Sequence, residues 1–286
     1  MSARLRDVVD VLRTAYPPEL AEPWDAVGLV CGDPQATVQR VLFCVDPVEE
    51  TVEAAVECGA QLLVSHHPLL LRGVHGVPAD DPKGRLIHRL VREGIGLFCA
   101  HTNADSADPG VSDALAAALG LTVTGPLAPH SEGARTGLGR ICTLPEPEPF
   151  GAFVQRVAGG LPATAWGVRG AGDPQRSIGS VAVCGGAGDS HLDTATTAGV
   201  DAYVTADLRH HPAGEHRARE EVPGTRVPAL VDVAHWASEW PWCRQAADVV
   251  AAALPGTVEV LVSTRRTDPW TIHAAGAATD PGRAPE

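Results

Sequence analysis

Two stretches decide the fold: Arg40-Val41-Leu42-Phe43-Cys44-Val45 and, after an amphipathic interval, Gln61-Leu62-Leu63-Val64-Ser65-His66-His67-Pro68. Each apolar run is short, β-branched or aromatic in part, and bounded by polar residues, which is the pattern of a buried strand. Between them, Pro47 precedes the acidic pair Glu49-Glu50, and residues 49–57 read as a helix whose first turn carries the negative charge a helix N-terminus favours. Strand, helix, strand is the unit of a parallel sheet. The unit recurs. Sliding the chain by 140 residues lays 41–64 on 181–204 without a gap, so that Cys44 meets Cys184, Ala55 meets Ala195, Gly59 meets Gly199 and Val64 meets Val204.

Further strands are expected at 95–100, 138–143, 202–205, 229–233 and 258–262, with helices at 84–93 and 111–119. The fold class is therefore α/β, as two related (duplicated) α/β domains whose sheets are covered by helices. The expected division is 1–125 and 126–266, the second unit sending its C-terminal helix with His235 and Glu239 back to the first. Residues 120–137, with Gly120, Gly125, Pro126, Pro129, Gly133 and Gly137, read as the connection between halves. The stretch 267–286, rich in Ala, Gly, Pro and Asp, reads as a disordered tail.

With 22 Lys and Arg against 35 Asp and Glu, the formal net charge is -13, which repels phosphate backbones and anionic lipid surfaces and argues against general nucleic-acid or membrane binding. No apolar run approaches the roughly 20 residues that span a bilayer, and the first residues lack the apolar stretch of a secretory leader. A cytoplasmic protein is expected. The seven cysteines are scattered and form no C-x-x-C pair. They read as reduced core thiols.

Four polar clusters interrupt the apolar strand ends, where open α/β sheets bind their ligands. In Ser65-His66-His67-Pro68 the adjacent histidines point to opposite faces of extended chain and can give one nitrogen to each of two ions; a pair of hydrogen-bonded turn histidines is the alternative. In His101-Thr102-Asn103-Ala104-Asp105, Asp105 is a candidate oxygen ligand or a helix cap, and His101 a ligand or an orienting group. His235 and Glu239, four apart at a helix start, can chelate a divalent ion or form an ordinary surface pair. In Thr205-Ala206-Asp207-Leu208-Arg209-His210-His211, Asp207 with His210 or His211 can line the site, and Arg209 and Arg72 can hold an anionic group such as phosphate. Trp24 or Trp236 can stack a base. Gly185-Gly186-Ala187-Gly188 has the look of a phosphate-cradling loop. There is no G-x-S-x-G elbow and no P-loop lysine, so metal-bound water is the expected nucleophile.

Together these pieces resemble the NIF3-like family of dinuclear-metal proteins, also known as GTP cyclohydrolase I type 2 homologues. The matching motifs, in order, are Glu22-x-Trp24-Asp25-x-x-Gly28-Leu29, Ser65-His66-His67-Pro68, Ala100-His101-Thr102-Asn103-x-Asp105, Gly137-Leu138-Gly139-Arg140-Ile141, Cys184-Gly185-Gly186-Ala187-Gly188, Asp201-Ala202-Tyr203-Val204-Thr205-x-Asp207 and His235-x-x-Ser238-Glu239. The resemblance implies two divalent ions per chain on His66, His67, Asp105, His235 and Glu239, with Glu239 bridging and His101 nearby. It also implies two α/β domains with the site between them, and a ring-shaped homohexamer. The chain looks like the short form, since no domain-sized insertion separates its halves. Ala206 and Ala234 stand where many relatives carry glycine.

All-N/O ligation suits Zn, Mn, Fe, Co or Ni and argues against Cu(I). A hydroxide bridging the ions would be the nucleophile of a metal-dependent hydrolase, with a nucleotide or phosphoester substrate and GTP ring opening as one possibility. A non-catalytic metal-binding assembly module is the competing class, and a mononuclear zinc hydrolase on His66, Asp105 and His235 the third.

Overall fold

The structure, a computed structural model, describes residues 2–275. The chain begins with β1 (Ala3–Arg4), α1 (Leu5–Ala15), β2 (Gly28–Cys31) and β3 (Thr37–Val38), then β4 (Arg40–Cys44), α2 (Glu49–Glu57), β5 (Leu62–Ser65), α3 (Pro82–Arg92) and β6 (Gly96–Cys99). Helices α4 (Thr102–Ser106) and α5 (Val111–Ala118) lead to β7 (Thr122–Pro129), β8 (Gly137–Pro149), α6 (Phe150–Gly160), β9 (Val168–Ala171) and β10 (Ser177–Ala187). The chain continues through α7 (Leu192–Thr197), β11 (Ala202–Ala206), α8 (His210–Ala218), β12 (Ala229–Val233), α9 (His235–Ala253) and β13 (Glu259–Val262). Two large sheets result, ordered β13-β4-β5-β6-β2 and β7-β8-β10-β11-β12-β9.

The internal repeat is realised in register. Val41 faces Leu62 and Phe43 faces Val64 across β4 and β5, and the same pairs 140 residues on, Val181 with Ala202 and Val183 with Val204, face each other across β10 and β11. Each copy adds a third parallel strand, β6 or β12, then an antiparallel one, β2 or β9, that precedes the unit in sequence. The copies differ at the other edge: β13 lies parallel to β4, whereas β8 lies antiparallel to β10.

Alternation along the strands sets the layers. Val41, Phe43 and Val45 of the first sheet and Val181 and Val183 of the second face one shared core, filled by α1, α5 and α9. Leu42 and Cys44 face outward against Val52, Ala55, Leu86 and Leu90 of α2 and α3, as Ala182 and Cys184 do against Leu192 and Ala195. All seven cysteines are free thiols and none is exposed. Among the described residues, no helix is long and apolar enough to cross a membrane.

The structure departs from the sequence expectations in three places. The stretch 120–137 is not a plain connection: Thr122–Pro129 is a strand, paired antiparallel with β8. Its prolines are tolerated because β7 is an edge, and the expected boundary at 125/126 falls inside it. Strands β2 and β9 were hidden by Gly28 and Gly170, since glycine is poor in strand propensity. The ordered chain also runs past 267. The Thr267 hydroxyl donates to Asp46 Oδ2, Asp268 is buried, and the Trp270 ring lies 6.0 Å from that of Trp166. Residues 276–286 of the expected tail lie outside the described residues.

Candidate metal centre

The carboxyl ends of four parallel strands converge, two from each copy. β5 ends at Ser65 and delivers His66 and His67 in the next two positions. β6 is followed by Ala100, His101 and the short α4, which carries Asp105. In the second copy β12 is followed by Ala234, His235 and α9, which carries Glu239. The spacing His-x-x-x-acid after the third strand therefore occurs twice, as His101/Asp105 and as His235/Glu239. At the end of β11 the counterparts of His66 and His67 are Ala206 and Asp207, so the imidazole pair exists in one copy only.

Every imidazole at the centre is held by its Nδ1 atom. His66 donates to the Ala100 carbonyl at 2.9 Å, His67 to Asp46 Oδ1 at 2.7 Å, His235 to Asp207 Oδ2 at 2.7 Å and His101 to Asp25 Oδ1 at 2.9 Å. A carbonyl or carboxylate only accepts, so Nδ1 carries a proton, and each ring in its neutral form presents its Nε2 lone pair. Glu239 receives these nitrogens: His235 Nε2 lies 3.0 Å from Oε1, His66 Nε2 3.4 Å from Oε1 and His67 Nε2 3.1 Å from Oε2. His67 Nε2 and His235 Nε2 are 3.2 Å apart. Asp105 Oδ1 lies 3.7 Å from His66 Nε2. Ligand atoms of His66, His67 and His101 fall within 4.8 Å of one another, as do those of His67, His235 and Glu239.

Such a cluster of nitrogen and oxygen ligand atoms could hold metal cations. His66 Nε2 and Glu239 Oε2 are buried without a well-formed hydrogen bond, an arrangement that costs free energy unless something positive sits there. The donor set is nitrogen and oxygen only, with two carboxylates, and suits a borderline or hard divalent ion. The residues present thus fit the metals that the sequence resemblance implies. With no metal the place is filled by protons. Burial lowers the pKa of His67, but Glu239 and Asp46 outweigh it and raise that pKa to about 10. His235, facing Glu239 and Asp207, rises to about 11 against the same opposing burial. Burial pushes Asp105 up to about 6. Burial would also raise Glu239, yet His67, His235 and His66 hold it well below the usual carboxylate range.

All five expected ligands and His101 come together. Several other sequence candidates do not join them. Arg209 is paired with Asp189, Arg72 is exposed and makes no ion pair among the described residues, and His211 is exposed with its ring 5.2 Å from that of His210. Asp207 does lie at the cluster: it hydrogen-bonds His235 and lines the cavity beside it, from a left-handed backbone with φ 56°. Trp24 is 58% exposed, with its ring edge-on to His101 at 6.0 Å.

The sequence reading missed Asp46 and gave no role to Asp25, which accepts from His101 and from both the amide and hydroxyl of Thr102. An aspartate just past a strand is an ordinary turn residue, and nothing local marks it. The glycine run also proves different from a phosphate cradle. Gly186, at φ +68°, belongs to β10, and a Cβ there would stand 2.4 Å from Glu239 Oε1. Its amide donates to Ser238 Oγ at 2.9 Å, so the glycine lets α9 and its carboxylate approach.

A model of the Duf34/NIF3 (NGG1p interacting factor 3) family matches residues 3–269. A Streptomyces coelicolor protein named GTP cyclohydrolase 1 type 2 homolog is 52% identical over 282 residues, covering 96% of each chain. A Mycobacterium tuberculosis protein of the same name is 42% identical, covering 96% of this chain and 99% of its own. That alignment runs over 383 residues against the 286 of this chain, so the mycobacterial protein carries inserted sequence absent here. Among solved structures, a Bacillus cereus protein related to NIF3 superposes with a TM-score of 0.85 at 22% identity, covering 95% of this chain and all of its own. A Staphylococcus aureus hypothetical protein gives 0.84 at 25%, covering 95% and 99%. With the family model spanning nearly the whole chain and the fold shared, the protein belongs to the Duf34/NIF3 family.

Proposed function

We propose that this cluster is the dinuclear divalent-metal centre of a metal-dependent hydrolase acting on a nucleotide or phosphoester-type substrate. The observation that carries the reading is the convergence of imidazole Nε2 atoms, each fixed by its own Nδ1 acceptor, on a buried carboxylate whose second oxygen lacks a well-formed hydrogen bond. His66, His67, Asp105, His235 and Glu239 would hold the ions, with Glu239 the carboxylate shared between them in this reading. Bound divalent ions would polarise a substrate oxygen and supply an acidified water. The chain's own part is orientation: Asp46 and Asp207 lock two rings, Ala100 a third, and α9 carries both His235 and Glu239 on one face. The relatives' printed name, GTP cyclohydrolase 1 type 2 homolog, suggests GTP as one candidate substrate; a phosphoester is the simpler one. The reading includes the homohexamer that the family resemblance implies, which light scattering of the purified protein at six chain masses would support.

The test is metal analysis together with turnover. Purified protein loaded with Zn, Mn, Fe, Co or Ni in turn should hold two ions per chain and hydrolyse at least one member of a nucleotide and phosphoester panel, and His67→Ala should abolish turnover with the fold intact. One ion per chain at saturation, or a panel left intact by every metal form, defeats the reading.

A further inference from the structure

A cavity of about 280 Å³ opens directly against the cluster, its lining including His67, Asp207, His235, Trp166, Asp268 and Trp270. The size is near the lower end for small-ligand pockets and accommodates a planar ring. Its aromatic wall is built in. Trp166 donates from Nε1 to Asp232 Oδ2 at 3.1 Å, and the Arg169 guanidinium lies 4.1 Å over its ring. Trp270, tilted 36° to it with centroids 6.0 Å apart, extends the wall.

Asp268 is the unexplained member. It is 6% exposed, and its Oδ2 is buried with no hydrogen-bond partner. No described residue donates to either of its oxygens, although burying an unpaired carboxylate oxygen is costly. The segment that carries it is tied down next door, where the Thr267 hydroxyl donates to Asp46, the residue that also holds His67. An acceptor-only group beside aromatic faces selects a flat ligand with N–H donors on its edge.

We infer that Trp166, Trp270 and Asp268 form a recognition subsite for a planar nitrogen heterocycle whose edge presents N–H donors, holding it beside the His67/His235 side of the cluster. The inference rests on the proposed function in one respect: the ring is taken to belong to a substrate of that centre.

The experiment measures binding rather than turnover, by tryptophan fluorescence and calorimetry with guanosine, whose base edge has adjacent N–H donors. The comparison ligands are inosine, which lacks the exocyclic amine, ribose 5-phosphate, which lacks a ring of this kind, and tetramethylammonium, an organic cation for an aromatic box. Guanosine should bind and quench, and inosine bind more weakly. Trp270→Ala, a change at a half-exposed side chain, should weaken guanosine about tenfold, and Asp268→Asn about tenfold, with the metal content of both variants unchanged. Equal binding of guanosine by wild type and Trp270→Ala, failure of guanosine to bind, or preference for tetramethylammonium overturns the inference. If metals bind and phosphoesters turn over while guanosine ignores the pocket, the subsite falls and the hydrolase reading stands. If guanosine binds through these residues but the protein takes no second ion, the reverse holds.

Discussion

Asp46 uses both carboxylate oxygens, one for His67 Nδ1 and one for the Thr267 hydroxyl. It touches no expected metal position yet fixes a ring that does. Groups in that position typically contribute 10- to 100-fold to metal affinity, so Asp46→Ala should weaken metal binding by about that factor in a chelator competition titration; unchanged affinity would show that the His67 ring is held by packing alone. Gly186→Ala tests closeness rather than hydrogen bonding. A methyl there needs a left-handed backbone, about 1–2 kcal/mol against it, and collides with Glu239 Oε1. Metal analysis should find the variant depleted, and ordinary occupancy would mean that β10 yields. Protonation gives the third expectation at this scale. His67 and His235 rise from 6.5 to about 10 and about 11 without metal. Metal needs the neutral rings, so binding must release protons and affinity must climb with pH through the neutral range. The sign for stability follows from the raised pKa values. The metal-free protein is stabilised by these charged rings below pH about 6.5 and loses that contribution as pH rises through 10 to 11. Thermal melts of chelated protein across this range should fall accordingly, whereas a flat profile would mean that the rings do not carry the protons.

At the scale of elements, α9 does most to make the centre. Its first residue is His235, Glu239 lies one turn on, and Trp242, fully buried, lies 5.2 Å from the His66 ring and 5.7 Å from Tyr16 by centroids. The helix thereby packs the backs of ligands from the other copy while presenting its own. Trp242→Ala should cost about 3–5 kcal/mol of stability and cut metal occupancy, with Trp242→Phe recovering part of both; loss of stability with full occupancy would separate packing from ligation. Much of this was readable in advance. Histidines and acids at the ends of apolar runs stand out because such positions are otherwise costly for polar groups, and the 140-residue repeat set the register of β4/β5 and β10/β11. What was not readable has physical reasons. β7 holds two prolines that only an edge strand tolerates. Asp25 and Asp46 act through contacts that no local pattern encodes. Trp166 and Trp270 meet across more than a hundred residues of chain.

For the whole molecule, the consequence is that the site joins the two copies. His66, His67 and Asp105 follow strands of the first sheet, His235 and Glu239 follow β12 of the second, and the shared core lies between the sheets. An ion held by groups from both copies, as proposed, would bind only when both sheets are assembled, so its binding free energy would add to folding stability. At a free concentration a hundred times its dissociation constant, each ion contributes about 2.7 kcal/mol. For a chain of this size a kilocalorie shifts the melting midpoint by about 2–4 °C, so two ions should move it by roughly 10–20 °C. Differential scanning calorimetry with and without chelator should show that shift in the wild type, and Glu239→Ala should lose most of it, since Glu239 is the carboxylate proposed to serve both positions. A wild-type midpoint indifferent to chelator would mean that the copies hold together without metal, and the coupling of site to assembly would fail.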